Sequence, residues 1–213
     1  MIYLVGNKAK AIEPHLNSGV VGLMNTPANG YVIEPGWAWA ADNGCFGKGW
    51  PGYGKWIAWL EKFTPEQRAA CLFATAPDVV GDGQASLARS LPWLAVIRSL
   101  GYSAALVTQD GMTPSQIPWQ EVDWLFIGGT DDHKLGPEGK ALISAAHDHG
   151  KRVHIGRVNS QQRFLAMAAL GADSCDGTFI AFGPETNVPR LMGWIEHERS
   201  HEPLFSLTRM ETA

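Results

Sequence analysis

Short runs of apolar residues recur along this chain at fairly regular intervals. Eight of them lie at residues 2–6, 20–25, 37–42, 71–78, 103–109, 124–129, 152–158 and 173–180. They are nearly continuous instead of alternating with polar residues, which is typical of strands covered on both faces. The pattern therefore predicts eight buried strands.

Segments with apolar residues three or four positions apart lie between these runs. The clearest spans residues 84–100 and is followed by Gly101, a common residue just past a helix end. Further helices are predicted at 53–63, 138–149, 161–170 and 189–198, whereas residues 112–122 form only a short connection interrupted by proline. Alternating strands and helices imply a parallel sheet, and eight strands predict a compact (β/α)8 barrel. An open parallel α/β sheet is the alternative, although no GxGxxG follows the first strand.

The composition is that of one ordinary globular domain. The chain has 213 residues, of which 45% are apolar and 18% are charged. We expect a single barrel over residues 1–200 and a C-terminal tail over 201–213. No run reaches the roughly 18 apolar residues that a membrane helix needs, and the N-terminus does not read as a secretory leader. These features predict a cytoplasmic protein without membrane contact.

The cysteines, histidines and net charge narrow the chemistry further. The three cysteines form no CxxC pair, which argues against a structural zinc site or a disulfide framework. His147 and His149 fall at a predicted helix end, where a favourable interaction with the helix terminus explains them better than a metal does. The formal charge of -4 means that any contact with nucleic acid requires a local basic patch.

Polar residues and glycines cluster at the predicted strand ends. In a parallel barrel the active site lies at the carboxyl ends of the strands. The residues at those ends are Asp42, Asp78, Asp82, Gln109, Asp110, Gly128, Gly129, Thr130, Arg157, Asn159, Asp173 and Asp176. Carboxylates accept hydrogen bonds and an amide or a bare backbone donates them, so the set suits a polar, planar ligand. Two of the carboxylates could act as a nucleophile and a proton shuttle, the pair that glycosidic-bond chemistry uses.

Each acid also has a plain structural role open to it. Asp42 opens the Asp-Asn-Gly stretch and could cap a turn. Asp82 is well placed to cap the helix that follows, and Asp176 could simply end a strand before a glycine. Asp78 and Gln109 could likewise be polar residues at the start of a loop.

Five short motifs, in order, resemble those of the tRNA-guanine transglycosylase superfamily. DNGCF at 42–46 resembles that family's D-S-G-G-[FY] motif, and DSCDG at 173–177 resembles its V-D-x-F-D segment. VTQDG, FIGGT and APDVVGD resemble its other strand-end motifs, over roughly residues 38 to 195. The resemblance implies that Asp176 is the nucleophile and Asp42 the general acid/base.

The remaining site residues would bind the substrate under the same resemblance. Base-binding roles fall to Gln109, Gly128 and Gly129, with Asp78 reading the guanine edge and Asp82 as the second choice. Phe46 could stack on a base and Arg157 could meet a phosphate, with Thr130 and Asn159 at neighbouring strand ends.

The chain departs from the family by lacking its Cys-Cys-Cys-His zinc subdomain and by being far shorter. This departure favours the short phage and bacterial paralogues that place 7-deazaguanines in DNA, with tRNA as the alternative polymer. The implied reaction replaces guanine with a base such as preQ0 through a covalent Asp176–sugar intermediate, without metal or cofactor. The expected protein partner is a second copy of this chain in a homodimer, or a helper subunit that grips the nucleic acid. An N-glycosidase and a non-catalytic base-binding barrel are the rival interpretations.

Overall fold

A computed structural model describes residues 1–200 as a closed barrel of eight parallel strands. Neighbours in sequence pair with each other, and the last strand pairs with the first. The strands are β1 Ile2–Val5, β2 Val21–Asn25, β3 Trp39–Ala41, β4 Cys71–Thr75, β5 Ala104–Thr108, β6 Trp124–Ile127, β7 Arg152–Ile155 and β8 Ser174–Gly177. The predicted (β/α)8 barrel is confirmed, and the open-sheet alternative is wrong.

Helices surround the barrel. They are α1 Glu13–Asn17, α2 Tyr53–Glu61, α3 Pro65–Ala69, α4 Gly83–Ser99, α5 Asp131–Leu135, α6 Pro137–Asp148, α7 Gln161–Ala169 and α8 Pro184–Ser200. Three of them, α1, α3 and α5, were not predicted, because five residues are too few to display a helical period. The last helix begins at Pro184, before the predicted start, and contains Pro189.

Two apolar layers hold the barrel together. The larger one fills the space between the strands and the helices, and the smaller one fills the barrel interior. Inside the barrel, the ring of Phe73 lies 4.9 Å from that of Trp124 and 6.2 Å from that of Phe126. A pocket lies above these packed rings, toward the carboxyl ends of the strands.

Two further expectations concern membrane-spanning helices and the C-terminal tail. Within residues 1–200, no helix has the length and apolar character needed to cross a membrane. The predicted tail, residues 201–213, lies outside the described residues, so that boundary stays a prediction.

Candidate functional site

A pocket of about 580 Å³ opens at the carboxyl ends of the strands. Its apolar wall includes Met24, Val107 and Phe126, with the exposed ring of Phe46 at the mouth. The polar residues that line it are Thr26, Asp42, Asn43, Asp78, Gln109, Asp110, Thr130, Lys134, Arg157, Asp176 and Thr178. Gly128 and Gly129 also contribute to the wall. Most of the residues predicted from strand ends therefore share one cavity.

Asp42 follows β3 directly and both caps a turn and faces the pocket. Its Oδ1 accepts the backbone N–H of Gly44 at 2.7 Å, and Gly44 adopts a φ of 76° that favours glycine. Burial raises the pKa of Asp42 to about 7, against the lowering effect of the Gly44 hydrogen bond. The negative charges of Asp176 and Asp78 add to the increase in this pKa. Asp42 is thus a carboxyl group that can change protonation state near neutral pH.

Asp78 lies in a buried hydrogen-bond network on the neighbouring side of the pocket. Its two carboxylate oxygens accept from Asn43 Nδ2 at 3.0 Å and from Gln109 Nε2 at 2.7 Å. Gln109 Oε1 in turn accepts the backbone N–H of Gly81 at 3.0 Å. Burial raises the pKa of Asp78, although the two side-chain hydrogen bonds act to lower it. The network fixes the orientation of both Asp78 and Gln109.

Asp176 lies in β8 and is held from inside the barrel by a histidine. Its Oδ1 is 3.1 Å from His154 Nε2 and accepts the backbone N–H of Arg157 at 3.1 Å. His154 Nδ1 lies 2.8 Å from Ser174 Oγ, so the imidazole bridges two residues of β8. The imidazole is fully buried, with its ring 4.3 Å from that of Phe126. The orientation of Asp176 is therefore set by a group at the floor of the pocket.

Two cations connect the ends of β6 and β7. Lys134 Nζ donates to the carbonyl of Gly156 at 3.0 Å, and Arg157 donates to the carbonyl of Gly129 at 2.8 Å. Lys134 also pairs with Asp131 at 3.1 Å. Burial lowers the pKa of Lys134, although the Asp131 hydrogen bond opposes the decrease.

Asp110 and Thr130 form a second link across the rim. The Asp110 carboxylate accepts from both the backbone N–H and the hydroxyl of Thr130. Burial acts to raise the pKa of Asp110, but these hydrogen bonds hold it below its usual value. Gly129 has a φ of 77°, and a Cβ there would lie 2.7 Å from Asp110 Oδ2. Only glycine fits this close approach without strain.

Two predicted binding residues lie outside the pocket wall. Asp82 caps α4, since its carboxylate accepts the backbone N–H of Ala85 at 2.9 Å. Asn159 accepts the backbone N–H of Thr178 at 2.7 Å. Both side chains therefore make structural hydrogen bonds and do not line the pocket. Of the two candidates Asp78 and Asp82, Asp78 is the one that lines it.

Sequence reasoning missed three residues of the site. Asn43 stands inside the Asp-Asn-Gly stretch but was considered only as a turn residue, and Lys134 lies on the unpredicted helix α5. His154, within β7, was not among the predicted site residues. A polar residue in the middle of an apolar strand was the available signal, because such a group requires a buried partner. Within residues 1–200, no cluster of three or more His, Cys, Asp or Glu side chains has the arrangement of a metal site.

Comparisons with known proteins identify the fold. No protein-family model and no curated protein sequence matches this chain. A 3-hexulose-6-phosphate synthase structure aligns over 93% of this chain and 99% of its own, with a TM-score of 0.55 and 11% identity. An aldolase described as 4-hydroxy-2-oxoglutarate/2-dehydro-3-deoxyphosphogluconate aldolase aligns over 93% and 92%, with a TM-score of 0.57 and 11% identity. Tryptophan synthase from M. tuberculosis aligns over 92% and 89%, with a TM-score of 0.56 and 12% identity.

These comparisons overturn the predicted family. The similar structures are synthases and an aldolase, so the predicted membership of the tRNA-guanine transglycosylase superfamily, and base exchange in DNA or tRNA with it, is wrong. The physical reason is that the motifs are short strings of Asp and Gly at strand ends, which the rim of any parallel barrel tends to contain. At such low identity the likeness establishes the (β/α)8 fold and nothing about substrate.

Proposed function

We propose that this protein is an enzyme that moves protons on a small carbonyl compound, in a reaction of the enolisation or aldol type. The observation that carries the proposal is the position of the Asp42 carboxyl group, which lines the same pocket as Asp78 and Asp176 at the carboxyl ends of the strands and whose pKa burial raises to about 7. General acid–base catalysis works best when the pKa of the group is close to the working pH. A carboxyl group raised to this range can both remove and return a proton.

The other pocket groups fit the same chemistry. As its carboxylate, Asp42 would remove a proton from the carbon next to the carbonyl, and the electron pair would move onto the carbonyl oxygen. Lys134 lines the pocket and would place a positive charge near that oxygen. Asp176, fixed by His154, would orient the substrate on the opposite side. In enolisation the proton returns from Asp42 to the same carbon. In aldol addition that carbon instead bonds to the carbonyl carbon of an aldehyde, and the proton on Asp42 goes to the former aldehyde oxygen.

The comparisons support this reaction type. An aldolase is among the similar structures, and aldol chemistry proceeds through such a proton transfer. Asp176 and Asp78 contribute to the raised pKa of Asp42, so three carboxyl groups act on the same small volume. Clustered groups of this kind, with a perturbed pKa in a pocket, are typical of catalytic sites.

The test is exchange of carbon-bound hydrogen for deuterium. The protein is incubated in deuterium oxide with a panel of hydroxyketones, hydroxyaldehydes and 2-oxo acids, and loss of the proton signal next to the carbonyl is followed by NMR. We expect exchange with at least one compound and a loss of more than about 100-fold in Asp42→Asn, the scale of general-base catalysis.

Asp148→Asn is the matched control. Asp148 is exposed at the C-terminal end of α6, at the face of the barrel opposite to the pocket. The Asp148→Asn variant should catalyse deuterium exchange at the rate of the parent. Exchange that persists unchanged in Asp42→Asn would refute the assigned role, and no exchange across the panel would refute the reaction type.

A further inference from the structure

The ends of β7 and β8 are the place where (β/α)8 barrels commonly bind phosphate. Backbone N–H groups of the two loops, with a short extra helix, point there toward the anion. This protein has the same layout, because the 3-10 helix Phe179–Ala181 follows β8. The question is whether those N–H groups are available to a ligand.

Three of these N–H groups, those of Arg157, Val158 and Thr178, already donate to acceptors of the protein. Asn159 Oδ1 accepts the N–H of Thr178 at 2.7 Å, and Asp176 Oδ1 accepts the N–H of Arg157 at 3.1 Å. The N–H of Val158 donates to the carbonyl of Asp176 at 2.6 Å. A protein carboxylate and a protein amide thus take the positions that phosphate oxygens would need.

The packing around this loop pair is tight. A Cβ at Gly177 would lie 2.5 Å from Asn159 Oδ1 and 2.3 Å from Tyr3 Oη. Tyr3 Oη also donates to the carbonyl of Val158 at 3.0 Å. The amide oxygen of Asn159 therefore lies close to Gly177 as well as to the Thr178 N–H, and a phosphate oxygen that bound this N–H would have to displace it.

The charges of the pocket also disfavour an anion. Four lining residues are aspartates, namely Asp42, Asp78, Asp110 and Asp176. The two basic lining residues, Lys134 and Arg157, each donate to a backbone carbonyl across the rim. A phosphate would have to approach this carboxyl-rich lining, in which hydrogen bonds hold the pKa of Asp110 below its usual value, at a cost in desolvation and repulsion.

We infer that the substrate of this pocket is a non-phosphorylated molecule, held through its own O–H or N–H groups by the aspartates and the carbonyls of the rim. The term substrate rests on the proposed function, but the exclusion of phosphate does not. This substrate class differs from the one in the name of the 3-hexulose-6-phosphate synthases, which includes a phosphate. The simplest substrates of the inferred class are small polyhydroxy carbonyl compounds.

The first test measures phosphate binding without any reaction. Inorganic phosphate is titrated with the protein and followed by ³¹P NMR line width. We expect no binding by the parent up to about 10 mM and a gain of at least about tenfold in affinity in Asn159→Ala, which frees the N–H of Thr178. Gln120→Ala is the control, because Gln120 is exposed at the opposite end of the barrel.

Two results of this titration would overturn the inference. A dissociation constant of about 1 mM or lower for the parent would show that the site accepts phosphate as it stands. Failure of Asn159→Ala to gain any phosphate binding, in a folded variant, would show that Asn159 is not what closes the site.

The second test uses a matched pair in the deuterium exchange assay, dihydroxyacetone and dihydroxyacetone phosphate. We expect a kcat/KM for the unphosphorylated compound that is at least about tenfold higher, and the reverse preference would overturn the inference. If neither compound nor the wider panel exchanges, the proposed function fails, while the phosphate titration still decides whether the site excludes phosphate.

Discussion

Replacing Asp42 with Asn should flatten the dependence of stability on pH. The folded pKa is about 7, whereas the ordinary value is 3.8. The folded state therefore binds the proton more tightly than the unfolded state does. The stabilisation from this proton is full below the unfolded pKa and is lost as the pH rises through the folded pKa. Asn is neutral at every pH and keeps an oxygen for the Gly44 N–H, so the variant has no such loss.

The magnitude follows from the two pKa values. Between pH 5 and pH 8, linkage gives a loss of about 2.5 kcal/mol for the parent at this residue. Asp42 is partly accessible, so solvent screening reduces this ceiling, and we expect a difference of about 1 to 2 kcal/mol between parent and variant. For a domain of this size, that corresponds to roughly 2 to 8 °C in Tm.

The assay is urea unfolding of the parent and Asp42→Asn across this pH range, with Asp148→Asn as the control. All other ionisable residues are the same in the two proteins, so the difference between the two curves isolates Asp42. Infrared spectra should show the band of a protonated carboxyl group at pH 6 in the parent and its loss in the variant. If the free energy of unfolding changed with pH in the same way in both proteins, the raised pKa of Asp42 would be refuted. The proposed reaction would then lose its main support.

Three further substitutions test the surrounding structure. His154→Phe should lower the kcat of deuterium exchange by about tenfold, with a smaller effect on KM. His154→Gln can still donate a hydrogen bond to Asp176 and should recover part of the kcat. Equal losses of kcat in the two variants would contradict a positioning role for His154. Gly129→Ala should destabilise the fold by about 1 to 3 kcal/mol in urea unfolding, more than Gly150→Ala, where a Cβ meets nothing within 4 Å; equal effects would disprove the close contact at the rim. Asp82→Ala should cost about 1 kcal/mol as a lost helix cap and leave exchange unchanged, and reduced exchange in a stable protein would assign it a role at the pocket.

The fold could be predicted because its signals are long and repeated. Eight apolar runs with helices between them leave few arrangements open, and the rule for parallel strands then indicates which ends meet. Asp42, Asp78, Gln109 and Asp176, far apart in sequence, do line one pocket. Strand ends were less accurate, since the predicted run 71–78 ends as a strand at Thr75 and Asp78 lies in the loop beyond it.

The family could not be predicted, because the matching letters have structural causes of their own. Position 129 favours glycine because its φ is positive and the Asp110 carboxylate lies close to it. Position 82 favours aspartate because its side chain caps α4. Asp42 caps a turn whether or not it carries a proton for a reaction. Residues that any barrel rim would favour were thus interpreted as signs of one chemistry.

The contacts that distinguish this site join side chains of neighbouring strands that are far apart in sequence, and a linear pattern cannot show them. His154 points inward from β7 and reaches Asp176 on β8, while its ring packs against Phe126 of β6. Whether a strand residue faces the interior depends on strand register, which changes with a shift of one residue. Phe126, which packs against His154, also lines the pocket. The packed interior thus positions Asp176 through His154, so the arrangement of the site depends on the core as well as on the residues at the strand ends.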